Sequence, residues 1–170
     1  MLLNDLFGIQ SRAGCSCAGP YGHRLLGIDT PTSEIYRDWV RKGFQGIKPG
    51  WCRVGFHWAM DDAEAAYIVD CVEFVAALGH RFLPLYEFDP GTGLWSHREH
   101  RDAEETLSIE AALDARASGP SELPLEQRQG LYRDYLAEAR ALAEQLGEPG
   151  SGNVPSVVEQ FGELRFFHVS

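Results

Sequence analysis

Cys15 and Cys17 sit two residues apart in a stretch crowded with turn formers, Gly14, Gly19, Pro20 and Gly22. A thiol becomes a nucleophile when nearby positive charge or hydrogen bonds stabilise its thiolate and a loop leaves it accessible. Arg12 lies just upstream and His23 just downstream, so the neighbourhood can meet both conditions. Cysteines are also among the residues most often buried, and an inert small side chain beside a turn fits the same spacing. Zinc is a competing account, with Cys15, Cys17, His23 and either Cys52 or His57 as ligands. The C-x-C spacing is shorter than the usual knuckle and no second paired-ligand motif follows, so no metal is expected.

Arg53 raises a second question. It falls within an apolar run from Trp51 to Trp58 that reads as a strand. An arginine there either faces solvent at a sheet edge or makes a bidentate contact to an acid or a substrate carboxylate. Arg12 poses the same choice, with solvent favoured. His57 falls on the alternating face of Arg53, but a core or surface role is the plainer reading. The chain has no G-x-G-x-x-G, P-loop, H-E-x-x-H or G-x-S-x-G motif.

These residues need elements to position them. Residues 2–7 read as the last turns of a helix ended by Gly8, followed by a short strand over Ile9–Arg12 and a glycine-rich loop. A helix is predicted over Ser33–Lys42, with Ile35, Tyr36, Trp39 and Val40 on its apolar face. Pro49-Gly50 is a turn. The cleanest signal is a helix over 62–78, capped by Asp61 with Glu64 three residues on and ended by Gly79. Its inward face is read as Ala65, Ile68, Val69, Val72 and Val75 or Ala76. Leu83–Phe88 and Leu94–His97 suggest an outlying hairpin around Asp89-Pro-Gly-Thr-Gly93. A weak helix is predicted at 103–116. A strong one follows at 125–146, with Leu125, Leu131, Tyr132, Tyr135, Leu136, Ala139, Leu142 and Leu146 on one side. Gly147–Pro155 reads as a linker and Leu164–Val169 as a final strand. The expected class is α+β (an α/β sandwich-like unit), with helices covering one face of a sheet.

At 170 residues the chain can hold one domain with a real core. The net charge of −10 is unevenly divided. Residues 1–56 carry seven Lys/Arg against four Asp/Glu, net +3, while 57–170 carry eight arginines against twenty-one acids, net −13. The basic front, with Arg12, Arg24, Arg37, Arg41 and Arg53, suits an anionic small molecule. The acidic remainder repels phosphate backbones and argues against a nucleic-acid partner. No stretch of about 18 apolar residues is present to span a membrane. Four cysteines are too few for a disulfide scaffold, so a cytoplasmic setting is expected.

The stretch from Asn4 to His23 resembles the cysteine-bearing loop of the class V aminotransferase and cysteine desulfurase family, pyridoxal-phosphate (PLP) enzymes of the aspartate-aminotransferase fold. The shared pattern is Arg12-Ala-Gly14, then Cys15-Ser16, Cys17-Ala18 and Pro20. Trp51-Cys-Arg53 through Glu64 resembles the strand and helix start that follow. The resemblance covers about residues 1–79 and implies the small C-terminal domain of a fold-type I PLP enzyme, here assigned to 1–97, with 98–170 as a C-terminal extension. It implies that Cys17 is the persulfide-forming cysteine and that Arg53 grips the substrate's α-carboxylate. Arg12 would be a supporting arginine, and Cys15 and His23 auxiliaries. It further implies an amino-acid substrate, a homodimer in full-length form and a large domain outside this chain. The only lysines are Lys42 and Lys48, and neither has the family's Ser-x-His-Lys setting. The chain is therefore expected to be inactive alone. An aminotransferase or lyase acting on another amino acid, and a noncatalytic interaction or remnant domain, are the alternatives.

Overall fold

Asp61 opens the helix that carries most of the main core. Its carboxylate accepts the Glu64 N–H at 2.8 Å, closing the first turn of the helix Asp62–Leu78 in the way the capping pattern predicts. In the computed structural model, which describes residues 1–14, 19–99, 123–150 and 160–164, this helix is the fourth of five α-helices among those residues. In chain order the elements are α1 (Leu2–Phe7), β1 (Arg12–Gly14), α2 (Gly19–Leu25), α3 (Thr30–Arg41), a 3₁₀ turn (Gln45–Ile47), β2 (Trp51–Arg53), α4 (Asp62–Leu78) and a 3₁₀ segment (Gly79–Leu85). Then come β3 (Tyr86–Asp89), β4 (Leu94–His97), α5 (Leu125–Leu146) and a 3₁₀ turn (Gly162–Leu164). The strands form two separate antiparallel ribbons, β1–β2 and β3–β4. The architecture is a small α+β domain.

The main core gathers α1, α4, the 79–86 stretch and α5. Leu3, Phe7, Tyr67, Cys71, Phe74, Phe82, Tyr86, Ala139 and Ala143 are buried together. Tyr67 stacks on Tyr132 of α5 at 4.1 Å between ring centroids. The α4 face differs from the predicted one. Tyr67, Ile68, Cys71 and Phe74 point inward, whereas Val69 and Val72 are exposed. The helix is apolar nearly all the way round, so spacing alone gives two candidate faces, and the one carrying the aromatic rings is the one that packs. In α5 the small residues Ala139 and Ala143 are buried, while Leu125, Tyr135 and Leu142 are exposed.

A second cluster joins Tyr36, Ile47, Phe88 and Phe161. Phe161 packs edge-on to Trp39 (5.1 Å) and Phe44 (5.8 Å), and the Tyr36 hydroxyl donates to the Leu164 carbonyl at 2.9 Å. Leu164 thus lies in a 3₁₀ turn; the rest of the expected final strand, like the helix at 103–116, lies outside the described residues. The β3–β4 hairpin is no outlier, since Tyr86 and Phe88 are buried one in each cluster.

Three other expectations shift. Ile9 does not begin a strand, because its N–H donates to Leu3 O in the cap that closes α1 around Gly8, at φ 67°. The strand starts instead at Arg12, and β2 ends at Arg53 rather than Trp58, because β1 offers only three partners. Helix α3 begins at Thr30, since Asp29 accepts the Thr32 N–H and Pro31 fits the first turn. The strand expected over 83–88 runs over Tyr86–Asp89, preceded by the 3₁₀ segment that contains Pro84.

Asp61 also pairs with Arg128 of α5, so one carboxylate caps α4 and ties α5 to it. The Glu64 N–H first, and Arg128 next, hold its carboxyl below the usual carboxylate range. A carboxylate depressed in the folded state stabilises above its unfolded value and loses that contribution as pH falls through the folded one. Asp61→Ala is therefore expected to lower the thermal midpoint by a few degrees at neutral pH. The gap should narrow in acid, below the ordinary carboxylate range. A constant gap across a pH series of melts would show that the carboxylate's charge is not what matters.

Candidate functional site

The β1–β2 ribbon places the two sequence-selected arginines directly across from each other, Arg12 opposite Arg53, with Ala13 opposite Cys52 and Gly14 opposite Trp51. Opposed residues of an antiparallel pair project to the same side, with Cβ atoms about 5 Å apart. Two guanidinium groups therefore share one face of the ribbon, and both residues are exposed. Like charges directly opposed cost a ribbon stability unless acids offset them, and a guanidinium is a residue type able to take a carboxylate through charge-assisted hydrogen bonds.

Trp51, two residues before Arg53, projects to the same side about 7 Å along the strand. Its ring forms a wall of a pocket of ≈ 270 Å³ between α2, α3 and the approach to β2. Gly22 makes this possible, since a Cβ there would come within 3.2 Å of the Trp51 ring. Where the glycines at 14–22 suggest a loop, Gly19–Leu25 forms the helix α2. Pro20 in the first turn of a helix was the available signal.

His23 lies in this pocket, its Nε2 3.0 Å from the Ser33 hydroxyl. Among the described residues no carboxylate bonds the other ring nitrogen, so the pair is not set up as a triad. Cys15 and Cys17 lie outside the described residues. The chain enters that stretch from Gly14, opposite Trp51, and leaves it at Gly19, on the pocket wall. Cys52 is exposed on the ribbon and Cys71 is buried in the core, where burial pushes its thiol up to about 11. That disqualifies Cys71 as a thiolate nucleophile. His57 leaves the predicted strand face and sits in a turn, its Nδ1 accepting the Ala59 N–H at 3.2 Å. Among the described residues no three His, Cys, Asp or Glu side chains converge as a metal site.

The described residues do not fit PLP by themselves. The cofactor needs a lysine for its covalent link and a cradle for its phosphate. Lys42 lies over the Trp39 ring, 4.7 Å from its centroid, and Lys48 is exposed at the pocket rim. Helix N-termini are the natural phosphate cradles. Here α3 begins with Asp29 and α4 with Asp61, Asp62 and Glu64, all of which repel a phosphate. Among the described residues no helix is long and apolar enough to cross a membrane. Comparisons with known proteins return no matching family model, curated protein or solved structure.

Proposed function

We propose that this chain is the carboxylate-gripping, thiol-bearing small domain of a PLP-dependent enzyme of the class V aminotransferase and cysteine desulfurase kind. The observation that carries this reading is the pairing of Arg12 with Arg53 on one face of the ribbon that leads into the Cys15–Cys17 stretch. Two arginines 41 positions apart in the sequence meet as direct neighbours. One guanidinium can hold a carboxylate bidentately, and a second beside it adds positive charge at the same place.

In this reading Arg53 binds and orients the α-carboxylate of an amino-acid substrate, and Arg12 shares its charge. In the desulfurase form Cys17 takes the sulfur of L-cysteine as a persulfide, the substrate's C–S bond breaking and alanine leaving, with Cys15 and His23 as auxiliaries. The aminotransferase or lyase form keeps both arginines and does not need Cys17. The lysine and the phosphate cradle belong to a separate large domain, so the chain alone does not turn over. A cytoplasmic homodimer of the full protein, acting on neither nucleic acid nor membrane, completes the proposal.

Reading the coding frame ahead of residue 1 tests the first requirement, a lysine-bearing large domain in the same polypeptide. In that polypeptide Arg53→Gln should raise the amino-acid KM roughly ten- to a hundredfold, the cost of a lost charge-assisted contact. Cys17→Ser should abolish sulfur release from L-cysteine and spare transamination. An upstream stop with no such domain, or a KM unchanged by Arg53→Gln, would overturn the assignment.

A further inference from the structure

The pocket beside the ribbon has a chemistry of its own that the arginine pair does not use. Its walls are apolar and aromatic, from Leu26, Ile28, Tyr36, Val40, Pro49 and Trp51. Its polar groups are His23, Ser33, Arg37 and Lys48, and no acid is among the described residues that line it. In a chain with 25 Asp/Glu against 15 Lys/Arg, a hollow with no carboxylate among its described lining residues is a departure from the background. Two other hollows show the contrast, one lined by Glu87 and Asp89 and the other by Asp5. Arg37 is already paired with Glu34 one turn back on α3. Lys48 is the exposed cation left at the rim, with the His23–Ser33 pair supplying hydrogen-bonding groups.

We infer that the α2–α3 pocket binds a small aromatic or bulky apolar carboxylate lacking an amino group, its body against Trp51, Tyr36 and Val40 and its charge toward Lys48 and the His23–Ser33 pair. Small-molecule sites run from about 300 Å³ upward, so ≈ 270 Å³ suits a single ring with a short acid tail. Apolar walls supply the affinity and a few placed polar groups fix orientation. An ammonium group finds no acid partner among the described lining residues, which is what disfavours an amino acid here. The site does not depend on Arg12 or Arg53 and stands or falls apart from the proposed function.

Calorimetric titration of the full chain with 3-phenylpropionate tests this, using 3-phenylpropan-1-ol, acetate and L-phenylalanine as comparison probes. The acid should bind about tenfold more tightly than the alcohol or L-phenylalanine, on the scale of one charge-assisted contact. Acetate should give no heat over the same range. Gly22→Val should abolish binding by pushing a side chain at the Trp51 ring. Lys48→Gln, an exposed change that leaves the core alone, should weaken it about tenfold. Arg133→Gln, exposed on α5 and not among the lining residues, should leave it unchanged. The inference is overturned if the acid does not bind, if L-phenylalanine or the alcohol binds equally well, or if Lys48→Gln has no effect. It is overturned as well if Arg53→Gln removes binding, because the charge would then sit on the ribbon.

Discussion

Phe74→Ala is expected to lower the unfolding free energy by about 3–5 kcal/mol, the range for deleting a buried phenylalanine. Phe74 is only 2% exposed. Its ring meets Phe7 of α1 edge-on at 5.4 Å and Phe82 of the 3₁₀ segment at 6.1 Å. Arg140 of α5 lies 5.8 Å from its centroid. One side chain therefore fills the junction of four elements, and no single neighbour can close over the space it leaves. Domains of this size are stable by only about 5–15 kcal/mol in all, so the variant should begin to unfold at a much lower urea concentration. Val72→Ala, two residues away on the same helix, should change stability by no more than about 0.5 kcal/mol, since Val72 is 39% exposed. The two together read out the rotation of α4. If Val72→Ala were the costly change, the helix would present the face that spacing alone suggests.

That contrast marks how far the sequence carries. Helices with a capping signal and one strong punctuation mark were legible almost to the residue: Asp61 and Gly79 bound α4, and Gly8 ends α1. What spacing could not supply was the choice between two apolar faces, because that choice is made by partners distant in the chain, here Tyr132 and Phe7. Short strands were less legible for a related reason. A three-residue strand exists only through its hydrogen-bonded neighbour, so neither Arg12–Gly14 nor Trp51–Arg53 has limits that its own residues define. The site divides along the same line. Arg12 and Arg53 were recognisable as residue types in suggestive places, but their opposition is a matter of register. The pocket was not legible at all, since Gly22, Lys48 and Trp51 share no local pattern and meet only because α2 forms where glycines and a proline suggested a loop.

Gly46→Val is the second large effect, and it reaches the site through the backbone. The 3₁₀ turn Gln45–Ile47 docks on the β3–β4 loop through two main-chain bonds: Gln45 N–H donates to Gly91 O at 3.1 Å, and Gly46 N–H donates to Pro90 O at 3.0 Å. A Cβ at position 46 would lie 2.6 Å from the Phe88 ring, 3.0 Å from Pro90 O and 3.1 Å from the Gly93 Cα. Two of those three atoms are backbone and cannot turn aside. Gly93, at φ 78°, closes the contact from the other side, where its own Cβ would sit 3.0 Å from the Gly46 Cα. Valine at 46 must therefore lift the turn off the loop, with a cost near the upper end of overpacking, about 3 kcal/mol. Ile47, fully buried in the second cluster, would be pulled with it. Lys48, Pro49 and Trp51 follow immediately and line the pocket, and Arg53 comes two residues later. Gly46→Val should accordingly weaken 3-phenylpropionate binding even at temperatures where the chain remains folded. Gly55→Val, with open space around position 55, should not. Equal stability and binding in the two variants would show that the turn reaches its place without the close contact between Gly46 and Gly93.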